Sequence, residues 1–142
     1  MKLLSIIVLP AIILSCANDG IQESQEKTEV IGSWQLFELG YSPGDRYIVE
    51  EVPANPAQLI HLNADSSFAS NIDGYKLFDK FGIRKEDNDL VLILFPRQGT
   101  DESASRSFTM TMSGQRLELR ARWCIEGCHE AYRPASSEAQ NP

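Results

Sequence analysis

Between residues 32 and 133 the apolar side chains recur at every second position, in short runs separated by turn residues, and no stretch sustains a helical period. Such a chain places one face of each segment on a core and the other in water. The clearest segment is Leu117, Leu119, Ala121 and Trp123, alternating with Glu118, Arg120 and Arg122. Before it, across Ser113-Gly114-Gln115, Phe108, Met110 and Met112 alternate with Thr109 and Thr111. Upstream, Trp34 and Leu36 alternate with Ser33 and Gln35, and two runs containing Ile60, Leu62, Phe68 and Ile72 flank a turn at Asp65-Ser66-Ser67. Asp73-Gly74 makes the next turn, and Tyr75, Leu77, Phe81 and Ile83 alternate after it, with Asp79 on their side and Phe78 opposite. The pattern predicts an all-β fold, an antiparallel up-and-down barrel of about eight strands.

Two irregularities qualify it. Phe37 and Leu39 switch face after Leu36, which requires either a bulge or a strand covered on both sides. Leu90 to Phe95 is an unbroken apolar run, either doubly covered or facing both core and ligand. The connection over residues 41–56, with Pro43-Gly44, Pro53 and Pro56, is long enough to carry a short edge strand and to serve as a lid.

The formal charge is −7, from 13 basic and 20 acidic side chains. Lys2 is the one charged residue before Cys16, so 12 stand against 20 from there on, a balance of −8 that disfavours nucleic acid. Lys2 is followed by twelve largely apolar residues, 3–14, interrupted by Pro10. A bilayer span takes about twenty, so the run reads as a secretory signal. Ile13-Leu14-Ser15-Cys16 resembles the bacterial lipobox. The resemblance implies cleavage before Cys16 and a diacylglycerol on its sulfur, with a further acyl chain on the new amine. Each buried CH₂ contributes about 0.8 kcal/mol, so two or more chains give a stable anchor. The expected address is the cell envelope, lipid-anchored, with the outer membrane favoured and the domain in the periplasm or on the cell surface. The expected divisions are a signal peptide over 1–15, acylated Cys16 and a flexible tether over 16–29, a barrel over 30–134 and a disordered tail over 135–142.

Export places Cys124 and Cys128 where disulfides persist. With Gly127 in a left-handed conformation, Ile125-Glu126-Gly127 fits a three-residue hairpin loop. The cysteines would then stand opposite each other at about 4.5 Å, within reach of a bond contributing about 2 kcal/mol. A zinc site with His129 would lack ligands, since His61 is the remaining histidine. No serine elbow or cysteine–base pair is present, and Asp65, Asp73, Asp79, Asp87 and Asp89 fall mainly at turns. No catalytic, cofactor or metal residue is expected.

Gly32-Ser33-Trp34-Gln35-Leu36 after a secretion signal resembles the opening of the lipocalin and wider calycin group. The chain is more closely similar to small bacterial lipocalin-like lipoproteins. These combine that opening with Pro-Gly-Asp (43–45), a Leu62…Asp65…Phe68 hairpin, Ser70-Asn71, and Cys-Ile-Glu-Gly-Cys followed by an aromatic and a basic residue, here Tyr132 and Arg133. The resemblance implies that Arg133 stacks on Trp34 and closes the barrel base, with Arg122 or Arg120 as the next choices; a cation over an indole is worth about 0.5–2 kcal/mol. It also implies a small hydrophobic ligand in a mouth drawn from Phe78, Leu92, Leu94, Met110 and Met112. Apolar alternation is first of all a folding signal, and the plain reading of each of these residues is core. Asp79 would meet a ligand's amine or hydroxyl unless a bulge turns it outward. The domain is shorter than a full lipocalin and lacks a C-terminal helix, which favours a narrower, filled barrel. The alternative function is therefore a filled barrel docking a protein partner through its outer surface, where Phe37, Leu39 and Leu59 would contribute if exposed.

Overall fold

A computed structural model of the chain describes residues 28–99 and 101–136, and nine strands account for more than half of them. They are β1 (Gly32–Tyr41), β2 (Ile48–Glu51), β3 (Leu59–Leu62), β4 (Phe68–Ser70), β5 (Phe78–Glu86), β6 (Asp89–Pro96), β7 (Arg106–Ser113), β8 (Arg116–Ala121) and β9 (His129–Pro134). Every pairing is antiparallel, in the order β4-β3-β1-β9-β8-β7-β6-β5, with β2 also beside β1. β2 and β3 run down the same edge of β1, Glu51 opposite Glu38 and Leu59 opposite Gln35. They act as one strand interrupted by an excursion over residues 52–58. The short edge strand expected in the long connection is β2. The two ends of the sheet meet where Ser67 bridges Lys80 and the Phe81 amide donates to the Ser66 carbonyl (3.0 Å). The result is a nearly closed, antiparallel eight-strand barrel.

Two bulges keep the right side chains inside. In β1, Leu36 lies opposite Tyr132 and Glu38 opposite Ala131, so Phe37 is the extra residue and Leu39 returns to the core side. In β5, Phe78 lies opposite Pro96 and Lys80 opposite Phe95, so Asp79 is extra. Phe78 and Phe81, three apart, are both buried as a consequence, and Asp79 lines an outer groove. β6 resolves as a strand with two apolar faces. Leu92 and Leu94 enter the core, Val91 is buried outside the core cluster, and Phe95 is 40% exposed.

The turns at 63–67, 87–88 and 114–115 gather at one end of the barrel, and the loops over 42–47, 71–77, 97–105 and 122–128 at the other. The turn end is plugged by Trp34 and Val30. The indole N–H donates to the Val30 carbonyl (2.9 Å) from a helical turn at 28–30. This corrects the expectation for Arg133. Alternation along β9 sends Tyr132 inward and Arg133 outward, opposite Gln35, with its guanidinium 5.8 Å from the Phe37 ring. Arg122 pairs instead with Glu86 (2.5 Å) and Arg120 with Glu118 (2.8 Å).

The Cys124–Cys128 disulfide is present, with Cα atoms 5.7 Å apart and Gly127 at φ 78°. The surrounding hairpin differs from the expected one. β8 stops at Ala121, whose amide donates to the Cys128 carbonyl (3.0 Å), and turn hydrogen bonds Cys124 N–H to Ala121 O (3.3 Å) and Gly127 N–H to Cys124 O (3.2 Å) draw the following backbone out of the ladder. Trp123 therefore leaves the core alternation. It is half exposed, edge-on to Phe108 at 4.7 Å. The expected signal peptide, the expected lipidation site Cys16, most of the expected tether and the expected tail beyond Ser136 lie outside the described residues. Ala135 still pairs, its amide donating to Ser33 O (2.8 Å).

On the outer face, Gly40 lies opposite His129, whose buried ring bonds to the Tyr47 hydroxyl and to Glu38 (2.9 Å). A Cβ at Gly40 would overlap both that ring and the Tyr47 hydroxyl. Gly40→Val is predicted to cost about 1–3 kcal/mol through overpacking, read as a lower urea midpoint with an unchanged m-value.

Candidate functional site

The five residues expected to line a ligand mouth fall within the barrel core. Phe78, Leu92, Leu94 and Met110 are each at most 3% exposed, and Met112 is partly buried against them. They join Trp34, Leu36, Ile60, Phe68, Phe108, Leu117 and Tyr132 in one continuous cluster. Side chains around an empty cup would be exposed to it, and four of these five are almost fully enclosed. Leu59 is buried as well, and Leu39 packs on the core, so neither supplies an outer patch.

Among the inward side chains one carboxylate stands out. Glu130 lies on the inward face of β9, two residues before Tyr132, and accepts a hydrogen bond on each oxygen. Tyr75 donates at 2.6 Å from the short 3-10 turn between β4 and β5, and Tyr132 donates at 2.5 Å. Arg106, the first residue of β7, lies near Glu130, with its guanidinium 5.8 Å from the Phe78 ring and 5.3 Å from the Trp123 ring. Together these groups lie toward the loop end and tie the 71–77 connection to β9. Burial is the largest influence on Glu130 and pushes its carboxyl above the usual range, while the two tyrosines, Arg106 and His129 pull the other way. Burial and the neighbouring carboxylate push both tyrosine hydroxyls above theirs, so they remain donors. The sequence reading missed this group, although β9 held the signal: once Tyr132 is inward, Glu130 shares its face.

A group whose folded pKa lies above its unfolded value contributes stability that is fully present below the unfolded pKa and is lost as pH rises through the folded one. Glu130→Gln removes this titration, so its melting temperature relative to the native protein is predicted to be higher at pH 8 than at about pH 4, where the carboxyl protonates even in the unfolded chain. Thermal unfolding of both proteins across that range checks it; a difference that is independent of pH, or that falls as pH rises, would contradict it.

Among the described residues, an ionic network and grooves lie on the outer surface. Glu38 accepts from Arg116 (2.6 Å) and His129 (2.9 Å), in that order the causes that hold its carboxyl below the usual range. Arg116 and Arg133 both lie over the Phe37 ring, at 5.2 and 5.8 Å. Phe37 and Arg133 line a groove of about 420 Å³ against the 52–58 excursion, walled by Glu51, Val52, Pro53 and Ala54. A larger groove, about 580 Å³, lies at the junction of β5, β6 and the loop after β6, lined by Asp79, Lys80, Phe95, Pro96, Arg97 and Gly99 among others. Among the described residues no cluster of three metal-ligating side chains occurs. Comparison of the chain with family models, with curated proteins and with solved structures gave no match in any of the three.

Proposed function

We propose that this protein is a lipid-anchored lipoprotein of the cell envelope whose lipocalin-like barrel is a filled scaffold, acting through its outer surface by docking a protein partner. The observation that carries this reading is the occupied interior. The side chains that would have lined a cup are core, and the aromatic, cationic and apolar groups free of the core lie on the outside. The anchor rests on Ile13-Leu14-Ser15-Cys16 and the apolar run before it. A second reading, carriage of a small hydrophobic ligand, is favoured by one feature: Glu130 and Arg106 lie near the loop end, polar groups of the kind that orient a bound molecule.

Two measurements test the proposal. Cys16→Ser is predicted to move the protein from the membrane fraction to the soluble fraction, and retention of the variant in the membrane would contradict the anchor. Native mass spectrometry of the full chain, released from membranes in detergent, is predicted to show the acylated polypeptide alone. A small-molecule adduct lost on unfolding would overturn the filled barrel in favour of the carrier.

A further inference from the structure

The apolar run of β6 is longer than the barrel interior requires. Leu92 and Leu94 satisfy the core, but Phe95 faces the other way and is 40% exposed. Gly82, on the neighbouring strand, leaves room for it: a Cβ there would stand 3.2 Å from the Phe95 ring. The ring therefore lies against the backbone of β5 as part of a groove wall. Pro96, the next residue of β6, lines the same groove.

Two cations flank this apolar floor. Lys80 lies directly opposite Phe95 in the ladder, and Arg97 follows β6 by one residue. Among the described residues neither has a carboxylate within the 4.0 Å of an ion pair, whereas Arg84, Arg116, Arg120 and Arg122 are all paired. Among the described residues that line the groove, these two cations stand against one carboxylate, Asp79, in a chain of net charge −7. An apolar floor between two cations with no carboxylate partner among the described residues is complementary to a segment with apolar side chains between acidic ones.

We propose that the Phe95 groove is the docking surface of this protein and that its occupant is an acidic, apolar segment of a protein partner, with an apolar side chain on Phe95 and carboxylates on Lys80 and Arg97. The proposal rests on the docking function above and specifies its site. The groove of about 580 Å³ accommodates a few side chains of such a segment, so individual contacts are weak and sensitive to salt.

The test uses the full chain in nanodiscs and three labelled octapeptides of alternating Glu–Leu, Lys–Leu and Glu–Ser. Fluorescence anisotropy is expected to show binding of the Glu–Leu peptide at least tenfold tighter than either control, weakening as salt is raised. Phe95→Ser and the double variant Lys80→Glu/Arg97→Glu are each expected to reduce that affinity at least tenfold. Arg133→Glu, in the other groove, should leave it unchanged. Equal binding of the Lys–Leu peptide, an effect of Arg133→Glu as large as that of Phe95→Ser, or no binding at millimolar peptide would each overturn the proposal. A photocrosslinker at position 95 or 37 of the lipoprotein in intact cells separates the two levels. A discrete adduct from position 37 alone removes this groove and keeps the docking function; no adduct from either position removes both.

Discussion

The antiparallel pairing of β9 with β1 is the contact on which the rest of the structure depends. It joins the last strand to the first and turns a meander into a barrel. It also sets which residues of both strands face inward, from Trp34 opposite Pro134 to Gly40 opposite His129. The Phe37 bulge lies in the middle of that pairing and resets the alternation, so that Leu36 and Leu39 both reach the core. The cross-strand neighbours of this seam also carry the His129–Glu38–Arg116 network outside and the Glu130–Tyr132 pair inside.

A barrel of this size leaves room along its axis for side chains or for one small ligand. Here aromatic and branched residues fill it, and each end has its own closure. Trp34 and Val30 occupy the turn end, while Glu130, Tyr75 and Arg106, with Trp123 alongside, lie toward the loop end. What the interior does not use appears on the outer face of β6 and around the Phe37 bulge, where apolar rings lie beside guanidinium or ammonium groups. That arrangement leaves grooves on the barrel's outer surface.

Much of this was legible in the sequence. Strict alternation over Leu117–Ala121 and Phe108–Met112, with turn residues between, predicts β7, β8 and the meander they belong to. The switch of face after Leu36 signalled its bulge, and Cys124 to Cys128 signalled the disulfide. Other features were hidden because they depend on register, which alternation alone leaves undefined. Phe78 reads as opposite to Phe81 until Asp79 is known to be extra. Arg133 reads as a partner for Trp34 until the pairing shows it one residue out of phase with Tyr132. Trp123 continues the β8 pattern on paper, but hydrogen bonds local to the disulfide loop end the strand before it. The grooves join side chains from separate strands, and no single stretch of sequence displays them.

The central claim is that the barrel interior is occupied by the protein's own side chains. Xenon enters apolar cavities that water leaves empty, so a crystal structure of the protein under xenon pressure tests it most directly. The account predicts no xenon on the barrel axis between Leu92, Leu94, Met110 and Leu117. Xenon bound there, or density for a molecule already in place, would show a hollow barrel and contradict it.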